Sequence, residues 1–356
     1  MQDILSNKNL LRALKMISPG TALRQGLNNV LKAKTGGLIV ISNGDEIKKV
    51  VDGGFNINAN YSPAYIYELA KMDGAIVLSE DAKQILVANA QLISNYSLTT
   101  SETGTRHRTA ERVAKETGAI VIAISQRRNV ITVYMGNQKY IVEEISQIFT
   151  KANQAIQTLE KYKAVLDKSI ISLNSLEFGN LVTIYDVSIV IQKIEMVMRV
   201  TNILERYIIE LGEEGTLISM QLEELMGTTK TDQKLIFKDY SRGEVQFKEF
   251  KKKLKSLSSE ELIDLSNIAK LLGYTSFSEN MDTPINPRGY RILSKIHRLP
   301  SNIIYNIVDY FTELQGVLNA EIEDLDEVEG IGEIRATYIK NGLIKMKQLS
   351  SLDRHI

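Results

Sequence analysis

The hydrophobic period of this chain changes at about Glu143, and that change bounds the folds open to it. Upstream, short β-prone runs at 37–42, 47–51, 75–78, 85–88, 119–125 and 130–134 are separated by turns and helix-length segments. Downstream, Ile148, Ala152, Ala155, Leu159, Tyr162 and Leu166 recur at three- and four-residue steps, one stripe of a helix. A two-residue period belongs to a sheet and a 3.6-residue period to helix packing, and 356 residues are long for one domain. The pattern predicts a multidomain chain, with an N-terminal mixed α/β domain ahead of helical structure.

Punctuation refines this. Helices are expected at 5–17, stopped by Ser18-Pro19-Gly20, and at 21–34 with Thr21 as a cap. Asn43-Gly44-Asp45 reads as a hairpin turn between the first two strands. Ser62-Pro63-Ala64 opens a helix to Met72, and a further helix runs 108–116 to a stop at Gly118. Helices at 187–211 and 258–272 continue the middle region, interrupted by Gly212, Gly215 and Gly227. Lys251-Lys252-Lys253-Leu254-Lys255 reads as a solvated helix face, with a phosphate contact as the other reading. The tail carries a weak repeat at an offset of 32 residues: Ile296-His297-Arg298-Leu299-Pro300 aligns with Val328-Glu329-Gly330-Ile331-Gly332. Each unit reads helix, tight turn, helix. The expected domains are therefore 1–145 (mixed α/β), 146–288 (all-helical) and 289–356 (helix-hairpin-helix).

Composition removes several chemistries. There is no cysteine, which excludes disulfides, thiolate metal sites and cysteine nucleophiles, and three scattered histidines argue against zinc. No apolar run approaches the ~18 residues of a membrane span, and the start lacks the pattern of a signal peptide. A soluble cytoplasmic protein with no membrane partner is expected. Residues 1–145 hold 17 Lys/Arg against 13 Asp/Glu, and 291–356 hold 8 against 10. Any nucleic-acid contact must then come from local geometry and backbone donors, not from a broadly basic domain.

Two features carry chemistry. Gly104-Thr105-Arg106-His107-Arg108-Thr109 gathers two guanidiniums, an imidazole and two hydroxyls beside a flexible glycine, just ahead of a predicted helix. Guanidinium forks match phosphate oxygens, and a helix start adds favourable backbone donors. Asp73-Gly74-Ala75 sets a carboxylate directly before an apolar strand, where it can hold a divalent metal. A carboxylate and a basic clamp are the minimum for work on a nucleoside triphosphate. No glycine-rich loop ends in Lys-Ser/Thr, so P-loop hydrolysis is disfavoured. Ser125-Gln126-Arg127-Arg128-Asn129 follows a predicted strand and offers a hydroxyl and two more arginines to a ligand edge. Ligand binding at carboxyl ends of strands is expected, as in layered α/β folds.

Together these motifs resemble the signature of diadenylate cyclase domains, and the whole chain resembles the bacterial DNA-integrity-scanning diadenylate cyclases. The resemblance implies condensation of two ATP into cyclic di-AMP and two pyrophosphates. It implies that Asp73 holds Mg²⁺ or Mn²⁺, and that Arg106, His107, Arg108 and Thr109 bind the β- and γ-phosphates. It also assigns Gly74, Leu92, Thr105, Ser125 and Arg128 to the ATP pocket. One domain has one such site and the product is two-fold symmetric, so two domains must meet face to face. The resemblance extends this to a homo-octamer.

Gly330-Ile331-Gly332, followed by Glu333-Ile334-Arg335-Ala336, resembles a helix-hairpin-helix motif. Its turn N–H groups would grip a DNA phosphate without reading bases, with Gly330, Gly332 and Arg335 as the contact residues. The resemblance implies a preference for branched or junction DNA. The first unit has Arg298 and Pro300 in place of the glycines and is expected only to pack. Acidic residues from Glu321 to Glu329 crowd the approach, so several arms are expected to act together. Two other readings are an ATP-sensing DNA-binding scaffold without cyclase turnover, and a nucleotidyl transferase acting on DNA ends.

Overall fold

The computed structural model describes residues 8–42, 44–274 and 280–352. The chain forms two compact units: 1–155 with 202–220, and 156–201 with 221–356. Among the described residues no helix is long and apolar enough to cross a membrane.

The first unit begins with α1 (Lys8–Ile17) and α2 (Ala22–Ala33). Thr21 caps α2 as expected, its hydroxyl accepting from the Arg24 N–H. Then follow β1 (Gly37–Ile41), α3 (Asp45–Val50), β2 (Val51–Asp52), β3 (Phe55–Asn60), α4 (Pro63–Leu69), β4 (Ala75–Leu78) and β5 (Gln84–Leu92). The series ends with α5 (Thr105–Thr117), β6 (Ile120–Ser125), β7 (Val130–Met135) and β8 (Gln138–Ile141). The eight strands form one sheet in the order β2-β5-β4-β1-β6-β7-β8, with β3 also paired to β5. Only β1 and β4 run parallel. This is the mixed sheet that the short runs predicted.

Strand alternation sorts the core onto two faces. Ile39, Ile41, Ile76, Leu78, Ile122 and Ile124 pack under α1, α2 and α4. Their neighbours Leu38, Val40, Val121 and Ala123 pack on the opposite face under α3 and α5. Both faces are covered, so the central strands read as continuous apolar runs.

Two expectations fail here. Residues 45–50 form α3, not a strand entered by a hairpin; Asn43 itself lies outside the described residues. Ile47 and Val50 stand three apart on the buried side, and Lys48–Asp45 and Lys49–Glu46 pairs line the exposed side, so local pairing favours a helix. Strands β3 and β8 had no strong apolar signal because they are polar and largely exposed. They are secured by pairing with β5 and β7, the latter through a Gly136-Asn137 turn.

The helical region holds α6 (Ile145–Gly179), α7 (Ile184–Leu211), α8 (Thr216–Met226), α9 (Thr229–Tyr240), α10 (Phe247–Ser256), α11 (Ser259–Ile263) and α12 (Leu265–Leu271). The predicted 258–272 helix is thus two short ones, because Asp264 caps the second through the Ser266 N–H. Lysines 251, 252, 253 and 255 are exposed on α10, while Phe250 and Leu254 are buried.

The C-terminal part comprises α13 (Tyr290–Ser294), α14 (Ser301–Phe311), α15 (Leu314–Asn319), α16 (Ile322–Asp326) and α17 (Glu333–Leu352) around its own apolar core. A buried polar joint fixes it within the second unit. Asp239 at the end of α9 accepts the N–H groups of Gly289, Tyr290 and Arg291. Arg291 pairs with Glu177 of α6, both fully buried, and Tyr240 donates to the same carboxylate.

Candidate active site and nucleic-acid interface

Sheet register gathers the first group of residues. Leu38 pairs with Ala75, Gly37 with Ile124, and Ala75 with Ala90. The starts of β1 and β4 and the ends of β5 and β6 therefore share one end of the sheet. Gly36, Asp73-Gly74, Leu92 and Ser125 sit along it. Two strand spacings separate Asp73 from Ser125, roughly 10 Å. This corrects the expectation of carboxyl ends throughout: β1 and β4 contribute their amino ends, because β5 and β6 run antiparallel to them.

Asp73 is exposed and makes no hydrogen bond or ion pair among the described residues. Gly74 has φ +138°, and a Cβ there would fall 2.8 Å from the Asn89 carbonyl carbon. Its lack of a side chain is thus demanded by β5 itself. Leu92 is half-buried against the apolar cluster beneath α5.

The basic cluster is the first turn of α5 rather than a loop before it. Gly104 is the extended N-cap, and the Arg108 N–H already donates to its carbonyl at 2.9 Å. Successive residues on a helix step about 100° around its axis, so Arg106, His107 and Arg108 cannot face one way. Thr105 and Arg108 are exposed, Arg106 and Thr109 are half-buried, and His107 is buried. Arg106 reaches the sheet end: a Cβ on Gly36 would lie 2.3 Å from its Nη1 and 3.3 Å from the Ile124 carbonyl oxygen. Neither Arg106 nor Arg108 has an acidic partner among the described residues.

The β6–β7 turn joins this group. Ser125 Oγ accepts the Arg128 N–H at 3.2 Å, and Asn129 closes the turn at φ +52°. Arg128 Nη2 stands 3.5 Å from Thr103 Oγ1, just ahead of α5. Guanidiniums from the start of α5 and from the β6–β7 turn thus border the end of the sheet that carries the free Asp73 carboxylate. Among the described residues no cluster of three acidic or histidine side chains could hold a metal alone. A single carboxylate with oxygen ligands from a bound triphosphate suits Mg²⁺ or Mn²⁺.

His107 turns inward. Its Nδ1 lies 2.9 Å from Tyr134 Oη, and Tyr134 donates to Glu102 Oε1 at 2.9 Å. Lys139 pairs with the same carboxylate. Burial lowers the His107 pKa; Glu102 opposes this, while Arg128, Lys139 and Arg106 add to it. Burial alone would raise Glu102, but hydrogen bonds from Lys139 and Tyr134 outweigh it and hold the carboxyl below its ordinary range. Gly36, Glu102, Tyr134 and Lys139 are not among the site residues expected from the sequence. The Gly36-Gly37 pair before an apolar run was a usable signal, whereas the other three meet only through tertiary pairing.

In the second unit the repeat of 32 residues is structural. Arg298 and Gly330 both take left-handed backbone, at φ +58° and +82°. Leu299 N donates to Ile296 O as Ile331 N does to Val328 O, and Ile304 N to Pro300 O as Ala336 N does to Gly332 O. A Cβ on Gly330 would meet Ile303 Cδ1 at 2.8 Å, while the nearest atom to one on Gly332 is 4.0 Å away. Only Gly330 is required by the hairpin's own packing. Arg335 folds back to donate to the Gly330 carbonyl. The acidic residues of the approach are exposed as expected, and Glu321 and Asp324 form a capping box on α16.

Comparison with known proteins closes the question of kinship. Residues 24–139 match the family described as DisA bacterial checkpoint controller nucleotide-binding, and 142–281 match the DisA bacterial checkpoint controller linker region. The DNA integrity scanning protein DisA of Clostridioides difficile (strain 630) is 74% identical over 356 residues, all of both chains. The chain belongs to the DisA family. The proteins of that name from Clostridium botulinum (strain Langeland) and Clostridium perfringens (strain SM101) are 55% and 56% identical, over 99% and 98% of each chain. This DisA-family chain is a diadenylate cyclase with a nucleotide-binding first domain, and its cyclase activity is coupled to DNA scanning.

Proposed function

We propose that the sheet end bearing Asp73, Arg106 and Ser125 is the cyclase half-site, and that each half-site presents one ATP to a second copy. The observation that carries this is that the free Asp73 carboxylate, the Arg106 guanidinium beside Gly36 and the Ser125–Arg128 turn share the end of the sheet where β1, β4 and β6 meet. Arg106, Arg108 and the first-turn N–H groups of α5 bind the β- and γ-phosphates and neutralise the departing pyrophosphate. Thr105 and Thr109 hydroxyls fill remaining phosphate oxygens. Ser125 and Arg128 border the same ligand, and Leu92 gives its adenine an apolar surface. Gly74 lets the chain turn tightly against β5 so that Asp73 stands clear of the sheet.

Asp73 is the residue that would hold Mg²⁺ or Mn²⁺, which supplies charge neutralisation at the phosphates and a more acidic attacking hydroxyl. The 3′-oxygen of each ATP attacks the α-phosphorus of the other, and each attack releases pyrophosphate. Two protein copies therefore have to face each other, and the homo-octamer is the assembly we assign. We take 1–145 as the cyclase domain, 146–288 as the helical linker and 289–356 as the DNA-binding domain. In the last, Gly332 and the first N–H groups of α17 contact phosphate of branched DNA, with Arg335 holding the turn's shape through the Gly330 carbonyl.

Incubation with ATP and Mn²⁺, followed by mass analysis of wild type, Asp73→Asn and the Arg106→Ala/Arg108→Ala double variant, tests the assignment. Cyclic di-AMP from wild type alone is expected. ATP binding without product in wild type would instead favour the scaffold reading, and a need for DNA ends would favour end transfer.

A further inference from the structure

The proton inventory of the Glu102–Tyr134–His107 row is fully determined. Glu102 is held ionised and can only accept. Burial and Glu102 push the Tyr134 hydroxyl far up, so it keeps its single proton, and that proton goes to Glu102. The Tyr134 oxygen then has only lone pairs left for His107. A contact of 2.9 Å is a hydrogen bond only if His107 Nδ1 carries the proton. Neutral His107 is consequently the Nδ1–H tautomer, and Nε2 is a bare lone pair.

That lone pair is buried and has no partner. Native structures rarely leave such a group unmatched without a functional reason. The edge of the ring that carries Nε2 faces the start of α5: a Cβ on Gly104 would stand 3.9 Å from Cδ2. Gly104 has no side chain to close that approach. The groups set around the ring are Glu102, Tyr134 of β7, Lys139 of β8, Arg106 of α5 and Arg128 of the β6–β7 turn.

We propose that Glu102 and Tyr134 are positioning residues that reserve Nε2 of His107 for a proton shared with a phosphate oxygen of bound nucleotide. The inference rests on the assignment of the α5 start as the triphosphate site. In the empty site burial, with Arg128, Lys139 and Arg106 adding to it, disfavours the imidazolium. A bound triphosphate reverses the local charge, so His107 takes one proton from solvent at Nε2, keeps it, and donates a hydrogen bond through it to a phosphate oxygen. Glu102, through Tyr134, supports the resulting imidazolium. One N–H bond forms at Nε2 with a proton released by a solvent or buffer acid, so the balance is one proton taken up per nucleotide bound.

The test is calorimetric titration of the full chain with 3′-deoxy-ATP and Mg²⁺, which binds but cannot cyclise. Heats are compared near pH 7.5 in two buffers of different ionisation enthalpy. Wild type should show net proton uptake, with affinity that weakens as pH rises. Tyr134→Phe keeps the buried ring and should lose the uptake, bind roughly tenfold more weakly, and raise the KM for ATP more than it lowers kcat. Glu102→Gln keeps an acceptor for Tyr134 but removes the charge, and should fall between; it carries the test if Tyr134→Phe alters thermal unfolding or assembly. Wild-type uptake and affinity in the folded variants would overturn the inference. Arg106→Ala/Arg108→Ala separates the two levels. Wild-type binding in that variant means the phosphate-site reading is wrong, whereas lost binding there with unchanged Tyr134→Phe and Glu102→Gln removes only the role given to the His107 row.

Discussion

Gly36→Ala is the substitution that most directly tests the geometry of the sheet end. Gly36 is buried with φ +74°, in the left-handed region where a side chain costs about 1–2 kcal/mol. The new Cβ would also fall 2.3 Å from Arg106 Nη1. The far end of an arginine moves readily, so the overlap should be relieved by displacing the guanidinium and not by unfolding. The stability loss should then stay near the backbone cost. Catalysis should suffer more. Removing one charged donor from phosphate is worth about 1.5–3 kcal/mol, a loss of roughly 10- to 150-fold in kcat/KM. Product chromatography gives the rate, and urea unfolding followed by circular dichroism gives the stability. Gly36→Asn separates the causes, because asparagine tolerates left-handed backbone yet carries the same Cβ. It should regain most of the stability and little of the rate. A Gly36→Ala protein that stays folded with kcat/KM within about twofold of wild type would refute the placement of Arg106 as a phosphate ligand, since surface charges away from a ligand rarely matter more.

Asp73→Asn should abolish cyclisation while leaving unfolding and assembly unchanged, because the side chain is exposed and has no partner to lose; turnover near wild type at saturating Mn²⁺ would remove its role as metal ligand. Gly332→Ala has free space around its Cβ, so it should weaken junction-DNA binding without changing stability, whereas Gly330→Ala should lower stability through its φ and Ile303; a Gly332→Ala protein that titrates junction DNA like wild type would take that turn out of the interface. Arg291→Met strands the buried Glu177 carboxylate and should destabilise the second unit by about 3–5 kcal/mol in urea, against no loss if the pair is dispensable. Cyclase activity per subunit should fall on dilution once copies separate, and a demonstrated monomer with constant specific activity would disprove the face-to-face scheme.

The parts of this fold that were legible in the sequence are those whose signal is local. Continuous apolar runs marked β1, β4, β6 and β7, and the stripe from Ile148 to Leu166 marked α6. Segment 45–50 misled because Asn-Gly-Asp is a hairpin signal and the i,i+3 charge pairs that favour a helix are weaker cues. The site divides in the same way. Asp73 and the arginines announce themselves by residue type, but their meeting depends on strand order, which no local pattern encodes. The direction of β6 against β1 decided that a strand start and a strand end share one edge. Tyr134 and Glu102 were hidden for a similar reason: they stand 27 and 5 residues from His107, and only the packing of β7 beneath α5 makes them one row. The repeat of the tail was visible, and it holds in the backbone: Arg298 takes the same left-handed turn as Gly330, so conformation and not side-chain identity carries the hairpin.

The two ends of the chain pose one problem with a common solution. At the sheet end the described residues offer one free carboxylate and unpaired guanidiniums, which cannot complete a two-fold reaction within one copy. At the tail, the Gly332 turn offers a few backbone donors beside exposed carboxylates at 323, 326, 327 and 329, a poor lone ligand for a polyanion. Weak half-sites of both kinds gain from the same event. On the face-to-face scheme proposed above, assembly would supply the second ATP to each cyclase domain and at once multiply the tails, so that each further tail would bind at an effective concentration in the millimolar range when reach permits. Binding to several tails also restricts their relative positions. The Glu177–Arg291 pair and the Asp239 cap tie α13 to α6 and α9, which gives such restriction a route to the helical region. Breaking that joint by Arg291→Met should therefore lessen any effect of junction DNA on cyclase rate even under conditions where both partial activities survive. An undiminished DNA effect in the folded Arg291→Met protein would show that the coupling runs through another route.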